Sequence, residues 1–92
     1  GVPEANISLK NLTNKTIDYC EVKFTCYDAH NKVTTDYPSL YNGTFKGYSN
    51  DNINPYGKVT WAWTLYSNEK TFSIGNIYMV FIRYTDGTTW SR

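Results

Sequence analysis

Two thiols, one imidazole and eight carboxylates are the groups in this chain that could serve acid–base, nucleophilic or metal chemistry. Cys20 and Cys26 lie in "TIDYCEVKFTCYD", where apolar and polar residues alternate. In an extended strand their separation is about 20 Å, whereas a disulfide needs Cα atoms within about 7 Å, so the two should not pair. Both fall on the apolar side and are expected as small buried hydrophobes. A redox pair or metal site would want Cys-x-x-Cys spacing and further ligands, which are missing. His30 sits in Ala29-His30-Asn31-Lys32, a turn-like stretch, and no Gly-x-Ser-x-Gly elbow accompanies it. A solvated turn residue is expected there, not a catalytic base. Glycosidase chemistry needs two carboxylates facing each other across a cleft, and most of the acids here fall in turns or on outward rows. In "NDNINPYG", Asn50, Asn52 and Asn54 alternate around Asp51 somewhat as in a calcium loop. One carboxylate without a closing glutamate falls short of what a hard cation prefers, and an Asn-rich turn is expected. No catalytic residue, metal or cofactor is expected. Three Asn-x-Thr sequons begin at Asn11, Asn14 and Asn42, which matter only where the source glycosylates them.

The elements that must carry these groups are constrained by size. Ninety-two residues make one domain, residues 1–92, since a second core would have too little chain to bury. Aromatics are 17% of the residues, nine of them Tyr, and with many Thr and Asn they suit half-buried pleated surfaces joined by turns. A net charge of +1, with no run of Lys or Arg, removes the electrostatic drive that nucleic acid and anionic membranes require. No apolar run approaches the ~20 residues of a membrane span.

Period-two alternation recurs along the chain. Ile7 and Leu9 share one side of "ANISLKNL", and Asn11 to Lys15 reads as a polar connection. Cys20, Val22, Phe24 and Cys26 form the inward row of the second strand, opposed by Tyr19, Glu21, Lys23, Thr25 and Tyr27. A short strand is expected near Val33 to Asp36. Residues 37–57, with two Pro, three Gly and four Asn, read mostly as loop with a short edge strand around Thr44 to Tyr48. Val59, Trp61, Trp63 and Leu65 share a face and are expected in the core. A long strand, Ile74 to Thr85, then turns through Asp86-Gly87 into Thr88–Ser91. Asp-Gly is read as a two-residue type I′ turn, which needs positive φ at both central residues. About seven strands and no helical stretch argue for an antiparallel β-sandwich.

"LKNLTNKTIDYCEVKFTCYDAHNKV" resembles the first half of the FxLYD-type immunoglobulin-like domains, in which a similar turn enters an alternating strand ending in Tyr-Asp, here Tyr27-Asp28. "INPYGKVTW" is similar to the family's Pro-Gly-Lys approach to its next long strand, with Tyr56 as an extra residue. "IRYTDGTTW" is similar to the closing hairpin of related bacterial domains. The resemblance spans most of the chain except Tyr37 to Asp51. It implies an immunoglobulin-like fold located outside the cytoplasm, in secreted or lipid-anchored bacterial proteins. It supplies no catalytic residues and no shared ligand.

Function therefore turns on surfaces. Both rows of the long strand are apolar. Tyr78, Val80, Ile82 and Tyr84 match the inward row, leaving Ile77, Met79, Phe81 and Arg83 outward. With a two-residue loop, Arg83 faces Trp90, so Met79, Phe81, Arg83 and Trp90 form a partly exposed apolar strip. Such strips mark contacts with other surfaces, and the strip or a sheet edge is the expected site for a protein partner or self-association. The competing reading has the strip covered by residues 37–57, or the register shifted by a bulge near Gly75. The alternative function is glycan binding, with Tyr41, Tyr48 and Tyr56 as stacking rings and Asn50 and Asn52 as hydrogen-bonding groups.

Overall fold

A computed structural model of the chain describes residues 3–34, 44–65 and 70–92. Among the described residues there are six strands and no helix. These are β1 (Glu4–Lys10), β2 (Ile17–Tyr27), β3 (Thr44–Ser49), β4 (Lys58–Thr64), β5 (Ser73–Tyr84) and β6 (Thr89–Ser91). They form two antiparallel sheets, β1-β4 and β3-β2-β5-β6. Of the expected strand near Val33 to Asp36, the described residues show one bridge, Val33 to Tyr27, and Thr35 and Asp36 lie outside the described residues. The twelve residues of β5 would run about 40 Å at the usual rise, which accounts for the 42 Å long axis of the molecule.

Alternation places the core where the pattern requires it. Ala5, Ile7, Trp61 and Leu65 from the two-stranded side meet Ile17, Cys20, Phe24 and Cys26 from β2, with Ile53 from the connecting loop. Four rings run through this interior. Phe45 stacks on Phe24 at 5.1 Å, Phe24 on Trp63 at 6.2 Å, and Trp63 on Trp61 at 5.2 Å. Burying a side chain such as Phe24 or Leu65 stabilises the fold by about 1.5–3 kcal/mol. The ladder needs Gly47 on β3, because a Cβ there would sit 2.9 Å from the Trp63 ring. Trp61 Nε1 donates to Asp51 Oδ2 at 3.2 Å, so the one acid of the Asn-rich loop holds a core indole in place. Cys20 and Cys26 are buried and form no disulfide, as their spacing requires. Burial, with the Asp51 and Glu21 charges adding to it, pushes the Cys20 thiol up to about 11.

Asn11 is buried, and its side chain organises the link from β1 to β2. Its Nδ2 donates to the carbonyls of Lys15, Ile53 and Asn54, at 2.7, 3.2 and 3.1 Å. Its Oδ1 accepts from the Thr13 amide and hydroxyl. Sequence reasoning assigned this residue to an ordinary polar connection.

The long strand departs from simple alternation. Its pairing with β2 shifts register three times. Between Tyr78, opposite Lys23, and Gly75, opposite Thr25, β5 holds one extra residue, beside Asn76 at φ 50. Between Phe81, opposite Glu21, and Met79, opposite Val22, the extra residue is Val80. The third shift places Asp18 as the extra residue on β2. Each bulge advances one strand by a residue and exchanges its faces. Ile74, Met79, Ile82 and Tyr84 therefore pack toward the core, and the expected inward row of Tyr78, Val80, Ile82 and Tyr84 holds only for its last two members.

The closing hairpin also differs from expectation. Tyr84 N–H donates to Thr88 O at 2.9 Å and Gly87 N–H to Tyr84 O at 3.0 Å. Gly87 has φ 88, and Asp86 is not among the positive-φ residues. The loop is thus three residues, Thr85-Asp86-Gly87, a type I turn followed by a left-handed glycine. The pairs are Arg83–Thr89, Ile82–Trp90 and Phe81–Ser91, one residue away from the expected Arg83–Trp90.

Candidate functional site

These two shifts divide the expected strip. Phe81 and Arg83 remain on the outer face of the four-stranded sheet, as the alternation required. Met79 crosses to the inner face because Val80 bulges, and Trp90 crosses because the hairpin loop holds an extra residue.

On the outer face, Arg83 Nε donates to Asp18 Oδ1 at 2.8 Å and the guanidinium lies 5.5 Å from the Tyr19 ring centre. Tyr19 meets Phe81 edge-on at 5.9 Å. Its hydroxyl donates to Glu21 Oε2 at 2.7 Å, and Lys46 reaches Glu21 Oε1 at 2.6 Å. Hydrogen bonds from Lys46 and then Tyr19 hold the Glu21 carboxyl below its usual range. Sharing its proton with Glu21 raises the Tyr19 phenol. Phe81 and Arg83 are therefore already engaged within a charged and aromatic network.

On the inner face, the four-stranded sheet is wider than the two-stranded sheet above it. Where β1 stops covering β5, an open groove of about 470 Å³ remains. Its floor is Met79, Ile82, Tyr84 and Trp90, and its wall is Leu9 and the chain leaving β1 through Leu12, with Ile17 at the base. Trp90 is 43% exposed and Leu12 76%. Apolar side chains dominate this lining, which is what an apolar partner surface requires.

The groove is braced at one end by the hairpin loop. Asp86 Oδ1 accepts from the Thr88 amide and hydroxyl, and Lys15 reaches Asp86 Oδ2 at 3.1 Å. Lys15 Nζ also donates to Thr88 Oγ1 and lies 5.4 Å from the Tyr84 ring centre. Thr85 N–H donates to Thr16 O. The Thr88 hydrogen bonds, with Lys15 beside them, hold the Asp86 carboxyl down at about 2.

The residues of the glycan alternative are not assembled into one platform. Tyr48 projects from the outer face of β3 opposite Glu21, 63% exposed. Asn50 and Asn52 are exposed on the loop that dives to buried Ile53. Tyr56 sits in a turn at φ 58, with its amide bonded to Thr13 O. Among the described residues no hydrogen bond or ring contact joins any of these side chains to another, and Tyr41 lies outside the described residues. His30 is exposed in the 28–32 turn, where Asp28 Oδ1 accepts the His30 and Lys32 amides.

No protein-family model matches the chain, and no curated protein or solved structure matches it. Among the described residues no helix is long and apolar enough to cross a membrane.

Proposed function

We propose that the chain is a non-catalytic binding domain that takes a protein partner in the groove over Met79, Ile82 and Trp90. The observation that carries this reading is the inner face of β5 and β6, which no strand among the described residues covers, an apolar floor with a half-exposed tryptophan beside the end of a narrower sheet. Tryptophan, with tyrosine and arginine, is among the residue types enriched where a few side chains dominate partner binding. The fold is read as an immunoglobulin-like sandwich. Two antiparallel sheets that share one core support this, as does the resemblance of the β2 segment and its flanking turns to FxLYD-type domains. The same resemblance is the basis for placing the domain outside the cytoplasm.

A displayed library of short peptides, panned against the whole chain, tests the binding function. Enriched peptides are expected to lose about tenfold or more in affinity on Trp90→Ala while the variant keeps its β-sheet dichroism. Enriched peptides that bind Trp90→Ala and Met79→Ala as well as the parent would overturn the assignment to this groove. A library that yields no enrichment would count against protein binding altogether.

A further inference from the structure

The chemistry of the groove's occupant can be read from the edge that borders it, an inference that rests on the protein-binding reading. Two hydrogen bonds at the ends of the β1–β4 pair fix which backbone groups β1 has spent. Leu65 N–H donates to Pro3 O at 2.9 Å and Asn11 N–H to Gly57 O at 2.8 Å. In an antiparallel pair, bonded and non-bonded residues alternate. Ala5, Ile7 and Leu9 therefore turn their backbone groups toward β4. Glu4, Asn6, Ser8 and Lys10 turn theirs the other way, and among the described residues no strand pairs with that side. The free edge ends at Leu9 and Lys10, both of which line the groove.

We propose that the groove receives a single extended peptide segment of another polypeptide, which adds as a strand to the free edge of β1. A strand placed there repeats the β1 alternation. Its backbone bonds to Asn6, Ser8 and Lys10, and every second side chain points down onto Met79, Ile82, Tyr84 and Trp90. The occupant is thus an extended segment with apolar residues at alternate positions. About seven residues, roughly 23 Å of strand, match the length of β1.

The overhang decides between a lone strand and a second copy of this chain. β5 and β6 project past β1, so the edge is a step and not a flush wall. A second copy approaching edge to edge would bring its own four-stranded sheet under its β1, into the space that β6 occupies. A bare strand carries no second layer and fits the step. Strand addition of this type obtains affinity from main-chain bonds and specificity from alternate side chains.

The test uses the whole chain and a synthetic peptide of about nine residues alternating Val or Ile with Thr or Ser, followed by NMR amide exchange. At saturation, exchange of the Asn6, Ser8 and Lys10 amides is expected to slow about tenfold or more. N-methylating the peptide amides that face β1 should abolish binding, and N-methylating the opposite series should leave it within about threefold. If the peptide binds in a Trp90-dependent way without protecting those amides, or if both methylated series bind equally, strand addition is wrong and the groove remains a binding site. If this peptide fails while library peptides bind through Trp90, the strand proposal alone falls. If no peptide of either kind binds, the protein-binding reading falls with it. Protection of the same amides by concentration alone, with a dimer by ultracentrifugation, would replace the peptide with a second copy.

Discussion

Asn11 does more for this molecule than its place in a polar linker suggests. Replacing it with Ala takes one of two donors from the Ile53 and Asn54 carbonyls, which keep the Ile17 and Gly57 amides. It also leaves the Thr13 amide without its Oδ1 acceptor, and losing buried bonds of this kind costs about 1–3 kcal/mol. Asn11→Ala is therefore expected to lower the urea midpoint by that equivalent, whereas Asn14→Ala, at an exposed position, should change it little. Asp86 makes a second residue-level case. Its folded value of about 2 lies below the ordinary aspartate value of about 3.9. Its ionised form thus favours the folded hairpin above about pH 4, and that contribution is lost as pH falls toward about 2. A carboxyl titration followed by NMR should give a midpoint near the lower value, and the Thr88 amide should move with it. A midpoint near 4 would show the loop bonds to be absent in solution. At this scale the thiols and His30 were legible from spacing and turn chemistry. Asn11 was not, because its role depends on two carbonyls from a loop some forty residues further along the chain.

Among the elements, β1 and β4, which pair without a register shift, and β2 beyond its Asp18 bulge are the ones that alternation alone describes well. β5 reads as apolar on both faces for a physical reason that sequence periodicity could not reveal. The strand changes phase at its bulges, so residues from both nominal rows reach the core. The hairpin supplied the second error, because Asp-Gly serves equally as the two-residue I′ loop and as the end of a three-residue loop with a left-handed Gly. Deleting Thr88 leaves the Thr85-Asp86-Gly87 loop intact and moves Thr89 opposite Tyr84. Trp90 should then face Arg83 on the outer surface. NOEs from the indole are expected to leave the Ile82 methyls for the Arg83 side chain, and binding in the groove should be lost with them. Persistence of the Ile82 contacts would show that the loop, and not the residue count, sets the register. Gly47→Ala tests the other inter-element constraint. Its methyl would press on the Trp63 ring, a clash expected to cost about 1–3 kcal/mol in thermal or denaturant unfolding.

For the molecule as a whole, composition and alternation were enough to give an all-β domain with a tryptophan-lined interior. They could not say that one sheet is narrower than the other, because that depends on which strands pair, a long-range matter. The contrast between two tryptophans follows from it. Trp61→Ala removes a buried ring and an indole bond to Asp51 and should cost about 3–5 kcal/mol, enough to unfold a marginal domain. Trp90→Ala removes a ring that is already half in water and should cost about 1 kcal/mol. Chemical denaturation of the two variants measures the difference, and equal losses would mean that the groove is closed in solution.

The burial of Asn11 also sets an order of events for sugar attachment. Both amide hydrogens of its side chain are committed to carbonyls within the folded molecule. An oligosaccharide-transferring enzyme that met the finished domain would find Asn14 open and Asn11 shut. A glycan at Asn11 would have to arrive on the nascent chain, and it would leave that chain unable to close its first turn.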